Sequence, residues 1–442
     1  MMLRMLVGAV LLAGLLYPAF AQSPKALGGP EDVPSGFDFP AVQSRLEAVR
    51  DAQDLGAMRL HAWRVFAGIN QPSAGSPFVP VWLTWDSKRR VFDPATVPAA
   101  ANAPVRTPQT PRLPFELPRQ LESPSVLCSG CLPLKDVVPV LSIVYFNRAA
   151  SEHIREIRPW NGVSEFSMKK KADLNDLVNK LNGNGKPIEN WEVPPFPPSS
   201  VAVKTVWKLV PKSGPPTVIP VFDPDANPPN QAGNPPSRWA RNVKVDASAA
   251  ELSCSGDSIV HAPPPHRPDK TGDVPITRFF YLPLCNSGDA ISAQSVTQEP
   301  AAEGDYVVLV AMHYTTREIP NWVWATFWWH DRPDIPLYGA DRPSEVREPW
   351  SNYVMNVAYD MDTPREPDET PRICFNPWLE GQLPNGLKSN CMTCHRLSIW
   401  PPVTSRKVTR GTVLPDHPLM AGHLRLSFLW SIACHAFGVD CP

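Results

Sequence analysis

The chain carries no surplus of charge of either sign: its 442 residues hold 42 Lys and Arg against 43 Asp and Glu. Without a basic stripe or patch, nothing in it favours nucleic acid as a partner. Long apolar runs are missing beyond the first 21 residues, and no later segment reaches the roughly 20 apolar residues that a spanning helix needs without meeting Pro or a charge. There is no Ser-His-Asp order, no phosphate-binding glycine loop and no H-E-x-x-H stretch, so hydrolase and nucleotide-binding classes lack support. No internal repeat is evident.

Proline, in contrast, is abundant, with 55 residues in the chain. Together with 43% apolar content it describes a folded protein of short elements joined by long irregular connections, in which long regular helices are few. At the start, Arg4 precedes an apolar run from Met5 to Leu16, and Ala19-Phe20-Ala21 offers small residues for cleavage before Gln22. Residues 1–21 therefore read as a secretory signal peptide. An uncleaved anchor is the alternative, but the run is short for one. The expectation is a periplasmic protein with no stable membrane span after cleavage.

The nine cysteines stand at 128, 131, 254, 285, 374, 391, 394, 434 and 441. If two of them hold a cofactor, seven remain, which allows at most three disulfides and leaves one thiol over. Closeness in sequence makes Cys434 with Cys441 the first candidate pair and Cys254 with Cys285 the second.

Pro40 to Asn70 has helical spacing, whereas Thr96 to Pro118 reads as a Pro- and Ala-rich surface connection. Asp136 to Asn147 has strand composition, and Asp173 to Leu181 reads as a short helix. Strand-like runs then recur between proline clusters at Val201 to Val210, Thr217 to Phe222, Arg278 to Leu284, Tyr306 to Thr315 and Trp322 to Trp329. This pattern predicts an α+β protein. Its large domain, over residues 22–370, is a mainly antiparallel sheet with few helices and long Pro-rich loops. The texture changes near Pro371, so residues 371–442 are set apart as a small helical segment, with Leu419 to His435 as its clearest helix.

That segment contains Cys391-Met392-Thr393-Cys394-His395, a C-x-x-C-H motif. Two thiols three positions apart can reach the two vinyl groups of one porphyrin while the adjacent imidazole reaches the iron, which is the attachment chemistry of haem c. One covalent haem c is expected, with its iron bound by His395. The other pair, Cys128-Ser129-Gly130-Cys131, is followed by Leu132 and lacks the histidine; it reads as a disulfide or two free thiols.

The sixth iron ligand separates electron transfer from ligand-binding chemistry. Met420, His417, His423 and His435 follow the motif. Met420, at the start of the late helix, could reach back over the ring, or could be a core methionine. His313 is the candidate from the large domain: simple alternation puts Val307, Leu309, Ala311 and His313 on one strand face, so the imidazole ends an apolar surface. It could be a core histidine, a sixth ligand or a distal catalytic residue. Lys204 lies on the face of Ala202, Val206 and Lys208, which reads as a solvated charged face. Trp322, Trp324, Trp328 and Trp329 fill a core or wall the porphyrin.

Taken together, Trp63, Phe66 and Asn70, then Val203, Lys204 and Trp207, then His313 with Trp322, Trp324, Ala325, Thr326 and Phe327, and finally Cys391 to His395 and Phe428-Leu429-Trp430-Ser431 resemble a group of bacterial cytochrome c family proteins of uncharacterised reaction. The matches span residues 60 to 431. The resemblance implies that the large region and the haem segment belong to one protein type, and gives His313 and Lys204 functional weight. The chain departs from that pattern at Gln71, where the family tends to have Trp, and at Trp328-Trp329-His330, which replaces a Glu-His pair. The leading expectation is an exported mono-haem c-type cytochrome that passes electrons to a redox partner protein. A haem-dependent oxidoreductase of peroxidase or oxygenase type, and a haem-containing sensor or binding protein, are the alternatives.

Overall fold

The computed structural model describes residues 30–93, 113–118, 138–183, 191–225, 234–263, 273–358, 372–383, 386–402 and 418–437. The expected signal peptide, the Cys128 and Cys131 pair, His417 and the Cys434–Cys441 pairing lie outside the described residues. Among the described residues no helix is long and apolar enough to cross a membrane.

The chain is α+β. Its centre is a seven-stranded sheet of β1 (Asp86–Ser87), β2 (Leu141–Phe146), β3 (Val201–Val210), β4 (Tyr281–Pro283), β5 (Tyr306–Thr316), β6 (Val323–Trp329) and β7 (Tyr353–Ala358). The order across the sheet is β7-β6-β5-β3-β2-β1, with β4 beside the start of β5, and every pairing is antiparallel. A smaller three-stranded sheet joins Thr217–Val221, Arg241–Asp246 and Val274–Pro275. The Cys254–Cys285 disulfide is formed.

Helices are short rather than few. Among the described residues there are eight: α1 (Gln43–Asp51), α2 (Leu55–Ile69), α3 (Lys88–Phe92), α4 (Arg148–Arg155), α5 (Lys171–Gly183), α6 (Ser287–Thr297), α7 (Cys391–Arg396) and α8 (Trp430–Phe437). The expected single helix over Pro40 to Asn70 is two, because Gln53 takes a left-handed φ of 51° and Asp54 restarts the chain as an N-cap, its carboxylate accepting from the Ala57 N–H at 2.9 Å. The late helix is likewise shorter than its apolar spacing predicts. Left-handed residues at Gly422, Ser427 and Phe428 break the run, Leu424–Arg425 pairs as a strand with Ile399–Trp400, and helix resumes only at Trp430.

The two faces of the sheet are covered differently. On one, α2 lays Trp63 and Phe66 against Phe327, with Phe66 stacked on Phe327 at 3.9 Å between ring centroids, and Tyr314 donates its hydroxyl to the Ala62 carbonyl at 2.8 Å. The opposite face carries Phe146, Ala202 and Trp324 into a second apolar cluster with α4, α5 and the C-terminal segment.

A β-bulge decides which face receives His313. Leu309 pairs with Trp207 and Ala311 with Val206, leaving Val310 as an extra residue. Trp207 and Val206 point to opposite faces, so Leu309 and Ala311 do too. The expected continuous apolar face from Val307 to His313 is therefore broken: Val307 and Leu309 face α2, whereas Ala311 and His313 face the C-terminal segment.

Candidate functional site

The strand register lines up a polar row across that second face: Lys204 on β3, His313 on β5, Thr326 on β6 and Asn356 on β7 are direct cross-strand neighbours. The segment containing α7 lies over this row. Asn376 donates to the Thr326 hydroxyl at 2.8 Å and to the Phe327 carbonyl at 3.0 Å, and Asn356 donates to the Ile373 carbonyl at 3.3 Å. The face of Lys204 is thus covered rather than solvated. Lys208, further along β3, is also buried and donates to the Pro139 carbonyl at 3.0 Å.

Asn390 starts α7. Its side chain accepts from the Met392 N–H at 2.9 Å and donates to the Arg372 carbonyl at 3.0 Å, fixing where the helix begins. One helical turn then puts Cys391, Cys394 and His395 on a common face, while Met392, Thr393 and Arg396 are buried on the other side. Cys391 and Cys394 are free thiols. His313, Cys391, Cys394 and His395 lie deep in the fold yet are incompletely covered by neighbouring side chains.

The imidazole of His395 is held on two sides. Nδ1 is 2.8 Å from the Phe428 carbonyl, to which it can only donate, so Nε2 is the unprotonated nitrogen with a free lone pair. Trp324 lies against the ring at 4.5 Å between centroids. Burial drives the His395 pKa down to about 4, the Phe428 carbonyl opposing the shift and Lys204 adding to it, so the ring is neutral and ligand-ready at neutral pH.

The carbonyl that orients His395 sits on a strained turn. Ser427 and Phe428 have φ of 48° and 65°, a conformation that L side chains adopt at a cost of about 1 kcal/mol or more. Neighbours hold it there: the Phe428 ring lies between Trp324, 5.9 Å away between centroids, and the Arg396 guanidinium at 5.6 Å, and Trp322 donates to the Ser427 hydroxyl at 3.4 Å.

The thiols are un-ionised. Burial pushes Cys394 up to about 12, and a hydrogen bond to Cys374 together with burial raises Cys391. Nε2 of His313 is buried with no hydrogen-bond partner among the described residues. Burial, and then the positive charge of Lys204, hold this imidazole neutral, and His395 is near enough to act in the same direction. A buried imidazole nitrogen left without a partner loses its hydration for nothing in return. His313 on the sheet and His395 on α7 are close enough to interact electrostatically, and neither Nε2 has a hydrogen-bond partner among the described residues.

Three of the other residues considered as sixth ligands, Met420, His423 and His435, lie among the described residues. Met420 is buried in a small apolar cluster with Leu397 and Ile399, with Trp430 against it. His423 bonds within its own turn to the Ala421 carbonyl at 2.8 Å, and His435 stacks on Phe92 at 4.6 Å. An open groove of about 580 Å³ near Phe78, Phe280 and Trp350 contains none of the motif residues. Sequence reasoning named Phe428 only within the resemblance and gave it no role, and it missed Ser427 and Asn376; the Phe428 carbonyl and the Asn376 amide act through where the fold puts them rather than through a chemical signature. Comparison with protein-family models, with curated proteins and with solved structures finds no match.

Proposed function

We propose that this chain is an exported c-type cytochrome. It carries one haem c on thioethers from Cys391 and Cys394, with His395 as axial ligand, and exchanges electrons with a partner protein in the periplasm. The observation that carries the reading is the commitment of His395 Nδ1 to the Phe428 carbonyl at 2.8 Å, beside two free thiols on the same helical face. The donor set suits the group: un-ionised thiols for thioether formation and a neutral imidazole with its lone pair free. In this reading residues 371–442 are the haem-binding segment, residues 22–370 form the β-rich domain around it, and the chain groups with the bacterial cytochrome c family proteins it resembles.

Bound there, the haem supplies one-electron exchange at its iron. His395 would hold the iron, Trp324 and the Phe428 carbonyl fix the plane and tautomer of that imidazole, and His313 would offer as a second ligand its Nε2, which has no hydrogen-bond partner among the described residues. With two protein ligands the iron would be closed to exogenous ligands, which favours simple electron transfer. The cationic Lys204 beside His313 favours one second reading, a haem-dependent oxidoreductase in which His313 stands off the iron and meets an exogenous ligand.

The test is to export the protein from a host that matures cytochromes. The wild type is expected to keep a haem stain on a denaturing gel, and the C391A/C394A double variant to lose it entirely. Absence of stain in the wild type overturns the proposal. Carbon monoxide or cyanide is expected to leave the optical spectrum unchanged within minutes, whereas prompt binding moves the assignment to the oxidoreductase.

A further inference from the structure

Cys374, a cysteine outside the motif, lies against it. Its backbone forms a parallel bridge with Asn390, its carbonyl accepts the Cys391 N–H at 3.1 Å and the Cys391 thiol at 3.3 Å, and the two sulfurs are 3.7 Å apart. Cys374 is fully buried, whereas Cys391 keeps accessible surface. A disulfide needs sulfurs about 2.05 Å apart. The bridge from Cys374 to Asn390 and the hydrogen bond from the Cys391 N–H to the Cys374 carbonyl hold the two cysteines side by side.

We infer that Cys374 and Cys391 form a reversible disulfide that competes with cofactor attachment at Cys391. The inference rests on the haem reading for its consequence, but not for the bond itself. A disulfide oxidant of the compartment reaches Cys391, the less covered of the two residues, first; as that thiol gives up its proton it forms a mixed disulfide, releasing one thiol. Cys374 then attacks the Cys391 sulfur and releases the second. Two electrons and two protons pass from the protein thiols to the oxidant, which leaves as two thiols. The Cys254–Cys285 disulfide shows that the fold accommodates oxidised cysteines elsewhere. Attachment to a vinyl group adds the Cys391 S–H across a C=C bond with no net oxidation. One sulfur cannot hold both bonds, so only the reduced chain can be loaded at this position. Cys374 thereby makes attachment depend on a reductant of dithiol type.

The full-length protein is exported from a host without haem-attachment machinery, alkylated under denaturing, non-reducing conditions, and peptide-mapped by mass spectrometry. A cross-linked peptide joining Cys374 and Cys391 is expected, absent after dithiol reduction. In glutathione buffers the oxidised-to-reduced ratio should change tenfold over about 30 mV, as for a two-electron couple. In haem-loaded protein Cys374 should be alkylated as a free thiol. In a host with the machinery, C374S and C374A should raise the loaded fraction, about twofold where half of the apo chain is oxidised. Free Cys374 in oxidised apo protein, or a Cys391–Cys394 cross-link in its place, overturns the inference. So does loading of both variants no greater than wild type while the cross-link is present. The map needs no substitution, so a poorly folding variant does not decide the outcome. A chain that never acquires haem defeats the cytochrome proposal and leaves the peptide map to judge the disulfide by itself.

Discussion

The two faces of the central sheet are made from the same strands and differ in almost every other respect. Toward α2, the strands present Phe327, Tyr314 and Trp207, which interlock with Trp63, Phe66 and Trp82. On that side Trp82 donates to Asn70 at 2.7 Å, Trp207 to Thr205 at 2.7 Å and Tyr314 to Ala62 at 2.8 Å. Toward the C-terminal segment, the same strands present Lys204, His313, Thr326 and Asn356, and His313 has a buried nitrogen with no hydrogen-bond partner among the described residues. Buried polar groups are hydrogen-bonded as a rule, and the two faces differ in kind: aromatic rings toward α2, a row of polar and charged side chains toward the C-terminal segment.

The contrast is breakable. The largest effect is expected on the α2 side, where Phe327→Ala removes a ring packed between Trp63, Phe66 and Tyr314 and should cost about 3–5 kcal/mol in a denaturant titration. A cost below about 1 kcal/mol would mean that this face is not the stabilising one. Met420→Ala should destabilise by about 2–4 kcal/mol as a core deletion and leave the spectrum of the loaded protein unchanged. Loss of a thioether-to-iron charge-transfer band would instead make Met420 the sixth ligand.

The α2 side also holds a buried ionic cluster, with His61 between Asp38 at 3.0 Å and Glu318 at 3.2 Å. These carboxylates overcome the burial that opposes charging and raise the His61 pKa to about 9. Its contribution is therefore full below about pH 6.5 and lost as pH rises toward 9, on the order of 2–3 kcal/mol. Asp38, lowered to about 2 despite burial by its bonds to His61 and Arg45, contributes above about pH 4 and ceases to do so as pH falls toward 2. Urea midpoints from pH 5 to 9 should show the alkaline decline, and His61→Gln should flatten it.

The smallest stability change is expected on the other face. His313→Ala breaks no hydrogen bond at Nε2 and should cost no more than about 1 kcal/mol. In loaded protein, however, it should convert the spectrum to one that responds to carbon monoxide. A large loss of stability with an unchanged spectrum would make His313 an ordinary core residue.

Much of this arrangement was legible from composition and spacing. Val201–Val210 and Tyr306–Thr316 declare themselves by β-branched and aromatic content, and they are the strands that cross the middle of the sheet. The Cys391, Cys394 and His395 grouping needs only helical periodicity to converge. What escaped was set by tertiary context. Leu426 and Leu429 have helical spacing, but Leu426 donates to the Ser398 carbonyl at 3.0 Å, and the turn at Ser427 and Phe428 is paid for by its neighbours rather than by local propensity. Lys204 reads as a surface lysine because its covering comes from residues more than 150 positions later in the chain.

The extra residue at Val310 has an implication for how such a protein can change. Were β5 to alternate without interruption, a strand that aims Val307 and Leu309 at α2 would drive the His313 imidazole into the aromatic layer. One inserted position acts as a phase switch that sends the two halves of a single strand to opposite sides. At this point gain or loss of a codon, more than any exchange of side chains, would create or erase the residue facing α7.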